Sequence, residues 1–415
     1  MGVKDTANLA LIPAAYKASK VYSAIPTDGD GDFTFTRTGS GTRINKAGLI
    51  ETVGSNVPRL NYRLDADGNP SSCPELLLEP QRTNTHTYSE SASGKTTNNV
   101  TLTNNQAISP MGTNTAIKVT EDTTFNRHRF YADNNSVTSG TTYTISFFVK
   151  KNSDNRYVYL NAGALLGASG SFDLDTGSVT GNMQVFEVYP NGWYRIGITK
   201  TATSSTTNIY FVQMQQGTTD VSYTGDGSSF YFWGQQFEVG SNPSSYIPVP
   251  STGNVTRNKD QAYKANFADL ASDYPITVYW KGRITDHSTG QYIFSIINDG
   301  SAVEYLGIEI ANTGYIYLQR RSSNNDADQI TYSTQVGDVK KIAVKFTSST
   351  TAVVYIDGVE VYNLSSGAVV AWSFDSVLVG QHRIVVDQND RNPADEFFIW
   401  NKALTDEEMI EITTP

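Results

Sequence analysis

From about residue 85 onward, hydrophobic and polar positions alternate with a period of two over short runs, and Gly, Asn, Asp and Pro punctuate them. The densest run is Ser229 to Phe237. There Phe230, Phe232, Gly234 and Gln236 fall on one parity and Tyr231, Trp233, Gln235 and Phe237 on the other, so the pattern predicts a strand covered on both faces. Asp226-Gly227 supplies a turn before it, Gly240 to Pro243 breaks it, and Pro248 and Pro250 hold the exit toward Arg257 extended. With their apolar neighbours, Trp193 and Trp233 are expected in the core.

The same alternation predicts strands at Ala116 to Thr120, His128 to Tyr131, Thr142 to Lys150, Tyr157 to Ala162, Gly170 to Leu174, Trp193 to Lys200 and Ile209 to Gln215. After Arg257 a second set follows at Ile276 to Ile284, Gln291 to Ile297, Tyr305 to Ile310, Gly314 to Gln319, Val339 to Phe346, Ala352 to Ile356, Val359 to Asn363, Phe374 to Gly380 and Asp395 to Trp400. Asp357-Gly358, between two alternating runs, is the clearest hairpin signal. Thr405, followed by three acidic residues, predicts an N-cap and a short helix to Ile412. The expected architecture is all-β: a loop-rich segment over 1–84, then β-sandwich (jelly-roll) domains over 85–250 and 251–415.

The first segment is less regular. Ala7 to Tyr22 is expected as a short helix interrupted by Pro13, with Lys17, Lys20 and the nearby tyrosines set against a partner. Phe33 to Glu51 reads as short strands with Gly turns, and Asn56 to Tyr62 as an edge strand. Asp28, Asp30 and Asp32 have the spacing of a calcium loop, but Phe33 stands where its glycine belongs and Gly39 where its glutamate belongs, so an acidic turn is the better reading.

Composition narrows the function classes. The net charge of −10 lacks the clustered cations that phosphate backbones require, which argues against nucleic acid. One cysteine, Cys73, permits neither an intrachain disulfide nor a Cys-based zinc site. Met1 to Thr6 has no secretory pattern, and no apolar run is long enough to insert in a membrane, so exit from a cell by lysis is the expected route for an external role.

Phe35-Thr-Arg, Thr42-Arg-Ile-Asn, Gly48-Leu-Ile-Glu, Pro58-Arg, Cys73-Pro and Leu76 to Asn84 together resemble a motif set of structural proteins of tailed bacteriophages, crAss-like and other environmental phages included. Gly192-Trp-Tyr-Arg, Gly225-Asp-Gly, Phe232 to Glu238 and Ser245-Tyr-Ile-Pro resemble carbohydrate-binding-module-like jelly rolls of phage fibres. Val354 to Glu360 and Phe398 to Glu408 resemble a laminin-G or concanavalin-A-like domain. The resemblance implies a structural, non-enzymatic protein at the virion surface, a tail or head fibre, appendage or capsid decoration. It would be made in the bacterial cytoplasm and released by lysis. It would join other virion proteins through residues 1–84 and display lectin-like domains toward bacterial surface polysaccharide. By analogy it would assemble as a homotrimer. A purely architectural decoration protein is the alternative reading, and a capsule depolymerase a more distant one.

Two strand faces carry the rings and amides that sugars use: Tyr157, Tyr159 and Asn161, and Tyr315, Tyr317 and Gln319 with Arg321. Each has the composition of an ordinary outer strand face as well. Asp326, Asp328, Asp387 and Asp390 are candidate Ca2+ ligands in the last domain, and no other cofactor is expected. Glu304 and Glu309 are the nearest approach to a hydrolase's carboxylate pair, without its alternating spacing. His86, His128, His287 and His382 are scattered, and no pair has ligand spacing.

Overall fold

In the computed structural model the described residues are 2–219, 221–267, 270–285, 290–298, 304–321, 325–381 and 392–415, without the side chains of 133 and 325–327. The chain is 51% strand and 5% helix, as an all-β reading requires. No described helix is long and apolar enough to cross a membrane.

Among the described residues, two six-stranded antiparallel sheets form the middle sandwich. One runs Thr96–Asn98, His128–Val137, Thr206–Gln215, Tyr157–Ala162, Ala168–Asp173, Val179–Gly181; the other runs Val100–Ala107, Ala116–Glu121, Ser229–Val239, Thr142–Lys151, Trp193–Thr201, Gln184–Tyr189. Their inner faces share a core that includes Val119, Phe130, Leu160, Val212, Phe232 and Phe237.

Ser229–Val239 lies inside its sheet, between Ala116–Glu121 and Thr142–Lys151, and is covered on both faces as expected. A bulge explains its two-sided aromatic pattern. Gly234 adopts φ +66°, a Cβ there would lie 2.8 Å from the Phe148 ring, and the pairing slips between Ser146 and Phe148. The extra residue changes parity, so Phe230 and Phe232 before it and Phe237 after it all enter the same core. Trp233 faces the opposite way, into a second cluster with Phe148, Trp193 and Tyr246 that Ile44 and Ile50 complete.

The last sandwich is built from both ends of the chain. Residues 1–84 give Leu9–Leu11, Leu60–Asn61 and Glu75–Leu76 to one of its sheets, which also holds Ile276–Arg283, Val339–Ser348, Thr351–Ile356, Val359–Leu364 and Ala394–Trp400. They give Tyr16–Lys17, Lys20–Val21 and Phe33–Thr36 to the other, next to Gln261–Ala265 and ahead of Ser376–Val379, Gln291–Ile297, Tyr305–Ile310, Tyr315–Arg321 and Asn325–Ser333. Leu9, Leu11, Phe33, Phe35 and Leu76 share one core with Trp280, Ile308 and Phe397.

The helix expected over Ala7 to Tyr22 is replaced by these short strands. Leu9, Ala10 and Leu11 are all buried in succession, which a surface helix with one apolar stripe does not allow, and Ala394–Trp400 takes up their backbone hydrogen bonds. Lys17 and Lys20 stand exposed at a tight hairpin where Ala18 has φ +50°. Elsewhere turn chemistry acts as read. Asp357 and Gly358 have φ +49° and +85° and join Ile356 to Val359, and the helix Asp406–Thr413 has Thr405 as N-cap, with Glu408 closing the capping box.

The parts meet at a buried ionic cluster. Asp260 accepts from Arg37 Nη1 at 3.1 Å, from Arg59, and from the Glu79 backbone N–H at 2.9 Å. Glu79 accepts from Arg59 Nη1 (2.7 Å), the Ser245 backbone N–H (2.7 Å) and Ser245 Oγ (2.6 Å), and Arg257 Nη2 lies 3.5 Å away. Burial by itself would raise the Glu79 carboxyl, but Arg257, Arg59 and the Ser245 bonds outweigh it and hold Glu79 well below the usual carboxylate range.

Candidate glycan-binding face

The two sheets of the middle sandwich differ in what covers their outer sides. The sheet holding Trp233 is overlaid by Ile44, Ile50 and Tyr246. The other keeps an outer face of half-exposed side chains, and Tyr157, Tyr159 and Asn161 lie on it, alternating with the buried Val158, Leu160 and Ala162.

Cross-strand register brings further residues to that face. Tyr159 stands opposite Gln213, which stands opposite Arg129; Asn161 stands opposite Phe211, which stands opposite Tyr131. The rings of Tyr131 and Phe211 are 5.8 Å apart, Tyr159 lies 6.3 Å from Phe211, and the Arg129 guanidinium sits 4.9 Å from the Tyr131 centroid and 4.8 Å from that of Phe211. Asn161 Nδ2 donates to Tyr159 Oη (3.0 Å), Ser171 Oγ to Gln215 Oε1 (2.9 Å) and Gln213 Nε2 to the Val221 carbonyl (2.8 Å). Asp173, beside Tyr157, raises that phenol's pKa. Rings held edge to face beside fixed amide and guanidinium donors can stack on the apolar side of a pyranose and bond its hydroxyls.

Sequence reading reached Tyr157, Tyr159 and Asn161 but not Arg129, Tyr131, Phe211 and Gln213. The available signal was parity: Arg129 and Tyr131 alternate, as do Phe211 and Gln213, on two expected strands.

Tyr315, Tyr317, Gln319 and Arg321 share a face of the last sandwich. Tyr317 Oη donates to Gln329 Oε1 (2.9 Å), Gln319 Nε2 donates to Glu309, and Arg321 lies over the Tyr305 ring at 5.9 Å. Burial raises the Glu309 carboxyl, and bonds from Gln319 and Tyr292 offset part of that. Here the polar groups are largely satisfied by one another.

Glu304 accepts from Asn298 Nδ2 (2.9 Å) and Ser373 Oγ (2.8 Å), so it and Glu309 are each held by separate neighbours. Asp328 is engaged with Tyr362, whose phenol pKa burial and that acid raise. The side chain of Asp326, and Asp387 and Asp390 altogether, lie outside the described residues. Among the described residues no group of three or more His, Cys, Asp or Glu is placed to hold a metal ion. The Asp28 to Asp32 acids make a turn, with Asp32 Oδ1 accepting from Ser23 N at 2.8 Å and Asp28 Oδ1 from Asp30 N at 3.0 Å. Burial drives the His86 imidazole pKa well down, and His128 bridges the Asn99 and Tyr223 carbonyls at 3.0 and 3.2 Å, while His287 and His382 lie outside the described residues.

A cleft of about 290 Å³ opens where the parts meet, lined among others by Arg43, Arg195, Arg283, Tyr189 and Tyr246. Each of its four arginines faces a carboxylate: Arg43 with Glu51 at 2.6 Å, Arg82 with Glu238 at 3.9 Å, Arg195 with Glu187 at 3.6 Å, Arg283 with Glu75 at 3.4 Å. Its charges are balanced internally, which fits a joint between sandwiches better than a receptor for a charged ligand.

No family model and no curated protein matches the chain. Solved structures similar to part of it include the Ruminococcus gnavus IT-sialidase CBM40 bound to α2,3-sialyllactose, at 16% identity and TM-score 0.32, with 34% of this chain and 84% of that one covered. Domain 4 of AbnA, a GH43 extracellular arabinanase from Geobacillus stearothermophilus in complex with arabinotriose, is similar at 18% identity and TM-score 0.32 over 39% of this chain and 77% of that one. The binding domain of botulinum neurotoxin DC in complex with rat synaptotagmin II is similar at 14% identity and TM-score 0.30, over 37% of this chain and 39% of that one.

Proposed function

We propose that the chain is a non-enzymatic adhesion protein of a bacteriophage virion that binds bacterial surface polysaccharide through the outer face of its middle sandwich. The observation that carries the binding part is the cluster of half-exposed Arg129, Tyr131, Tyr159, Asn161 and Phe211 on one sheet face, beside the part of that face where Gln213 and Gln215 are buried. The virion setting, with lysis as the route of release, rests on the phage-like motifs of residues 35–84. In this reading the exposed Lys17 to Lys20 hairpin is available to other virion proteins, and trimeric assembly would multiply a weak glycan contact into avidity.

The test is binding of the purified protein to host-cell polysaccharide by titration calorimetry, alongside its ability to block phage adsorption. Tyr159→Ala and Phe211→Ala are each expected to weaken binding by about ten-fold, the loss of one stacking ring at the centre of a site. Neither substitution should disturb the inner core, since both side chains point away from it. Full affinity in both variants would exclude this face, and no binding by the parent protein would leave the architectural role.

A further inference from the structure

Resting on that reading, we infer that the middle-sandwich face selects an acidic glycan, and that Arg129 is the group that meets the sugar's carboxylate. Several buried or half-buried arginines elsewhere are matched to acids, Arg156 to Glu121 at 2.7 Å, Arg59 to Glu79 at 2.7 Å, Arg63 to Asp395 at 2.9 Å and Arg37 to Asp260 at 3.1 Å, and Arg320 instead donates to the Ser349 and Ala368 carbonyls, both at 2.8 Å. Arg129 is half-buried, yet among the described residues it has no carboxylate within 4.0 Å and its side chain donates no hydrogen bond. Removing a cation from water without an opposite charge is unfavourable, so its place at the centre of an open face needs a compensating partner.

The ring contacts narrow the choice of partner. Tyr131 and Phe211 lie against the guanidinium, with Cζ 4.9 and 4.8 Å from their ring centroids, and hold it in place. An aromatic ring offers no acceptor oxygen, so although Nε is buried, the terminal N–H groups keep their capacity for a carboxylate, which can accept two of them at once. The neighbouring polar groups suit the rest of a sugar: half-exposed Asn161 and Tyr159 are already ordered by their mutual bond. Asp173, an acid described on the same face, is occupied by its turn, accepting from the Asp175 backbone N–H and from Thr176 Oγ1, both at 2.8 Å. It therefore does not neutralise Arg129. Because the whole chain carries −10, long-range attraction cannot draw in a polyanion, and selection must come from this local contact.

The experiment uses the full chain and three uronic-acid polymers, polygalacturonate, alginate and hyaluronan, each beside its carboxyl-reduced neutral form. At least one acidic polymer should bind roughly ten- to a hundred-fold more tightly than its reduced counterpart, the range of one charge-assisted pair. Arg129→Gln should erase that preference with its melting temperature within a few degrees of the parent, and Arg129→Lys should restore part of it. Equal affinity for acidic and reduced polymers would overturn the inference while leaving glycan binding intact. An acid preference that survives in Arg129→Gln would overturn it too. Silence toward all six polymers and toward host polysaccharide would remove both this inference and the adhesion reading beneath it.

Discussion

Asp260→Ala is expected to lower the unfolding free energy by about 3–5 kcal/mol, the usual consequence of removing one partner from a buried ion cluster. The Asp260 side chain is fully buried with Arg37 and Arg59, whose side chains are equally inaccessible. Truncation takes the Asp260 carboxylate from two buried guanidinium groups, leaving Arg37 only backbone carbonyls and Arg59 only Glu79 as its carboxylate, and it leaves the Glu79 N–H without its bond. The cost should appear as a lower urea midpoint and as a lower barrier to separating the sandwiches, because the cluster joins Ser245 at the middle sandwich's exit to Glu79 and Asp260. Limited proteolysis near residues 242–260 should therefore accelerate. A midpoint change corresponding to under about 1 kcal/mol would show that the cluster is ordinary surface chemistry.

Acid should act through the same cluster. Glu79 has its folded pKa depressed below the ordinary 4.5, so the unfolded chain takes up its proton first as pH falls. Its contribution is complete above about pH 4.5 and is lost as pH drops from there toward the folded value. Neither the cluster nor its pH dependence could be read from the sequence. Arg59 and Asp260 are 201 positions apart and Arg37 and Asp260 are 223 apart, and no local pattern links them.

What was legible follows from locality. Alternation and turn chemistry act over a few residues, so Tyr157–Ala162, Gln291–Ile297 and Tyr305–Ile310 agree with expectation end to end. Val100–Ala107 escaped notice because its run of Thr, Asn and Gln is mostly solvent-exposed and has no apolar stripe to announce a strand. Leu9–Leu11 was misread because a three-residue apolar run does not distinguish strand from helix until its partner, residues 397–399, is known. The glycan face was half legible for the same reason. One strand's parity gave Tyr157, Tyr159 and Asn161, and only the pairing of three strands adds Arg129, Tyr131, Phe211 and Gln213.

Trp233→Ala should cost about 3–5 kcal/mol, the range for deleting a fully buried aromatic side chain. The indole is 0% exposed and packs against Phe148 at 5.2 Å and Tyr246 at 4.5 Å between ring centroids, while Nε1 donates to Thr115 Oγ1 at 3.1 Å. It thus ties the central strand of one sheet to the chain's exit toward Pro248 and Pro250, and the cavity left by alanine would loosen both. Trp233→Phe should cost clearly less, because a ring remains and only the indole's extra volume and one hydrogen bond, worth roughly 1 kcal/mol, are lost. Neither variant should change glycan affinity where it remains folded, since Trp233 belongs to the covered sheet and Tyr159 and Phe211 to the open one. Thermal unfolding followed by tryptophan fluorescence, with calorimetric binding measured well below the variant's transition, separates the two effects. A Trp233→Ala protein that kept its stability and lost its sugar would reverse the assignment, making the aromatic strand a ligand surface instead of the joint between the sandwiches.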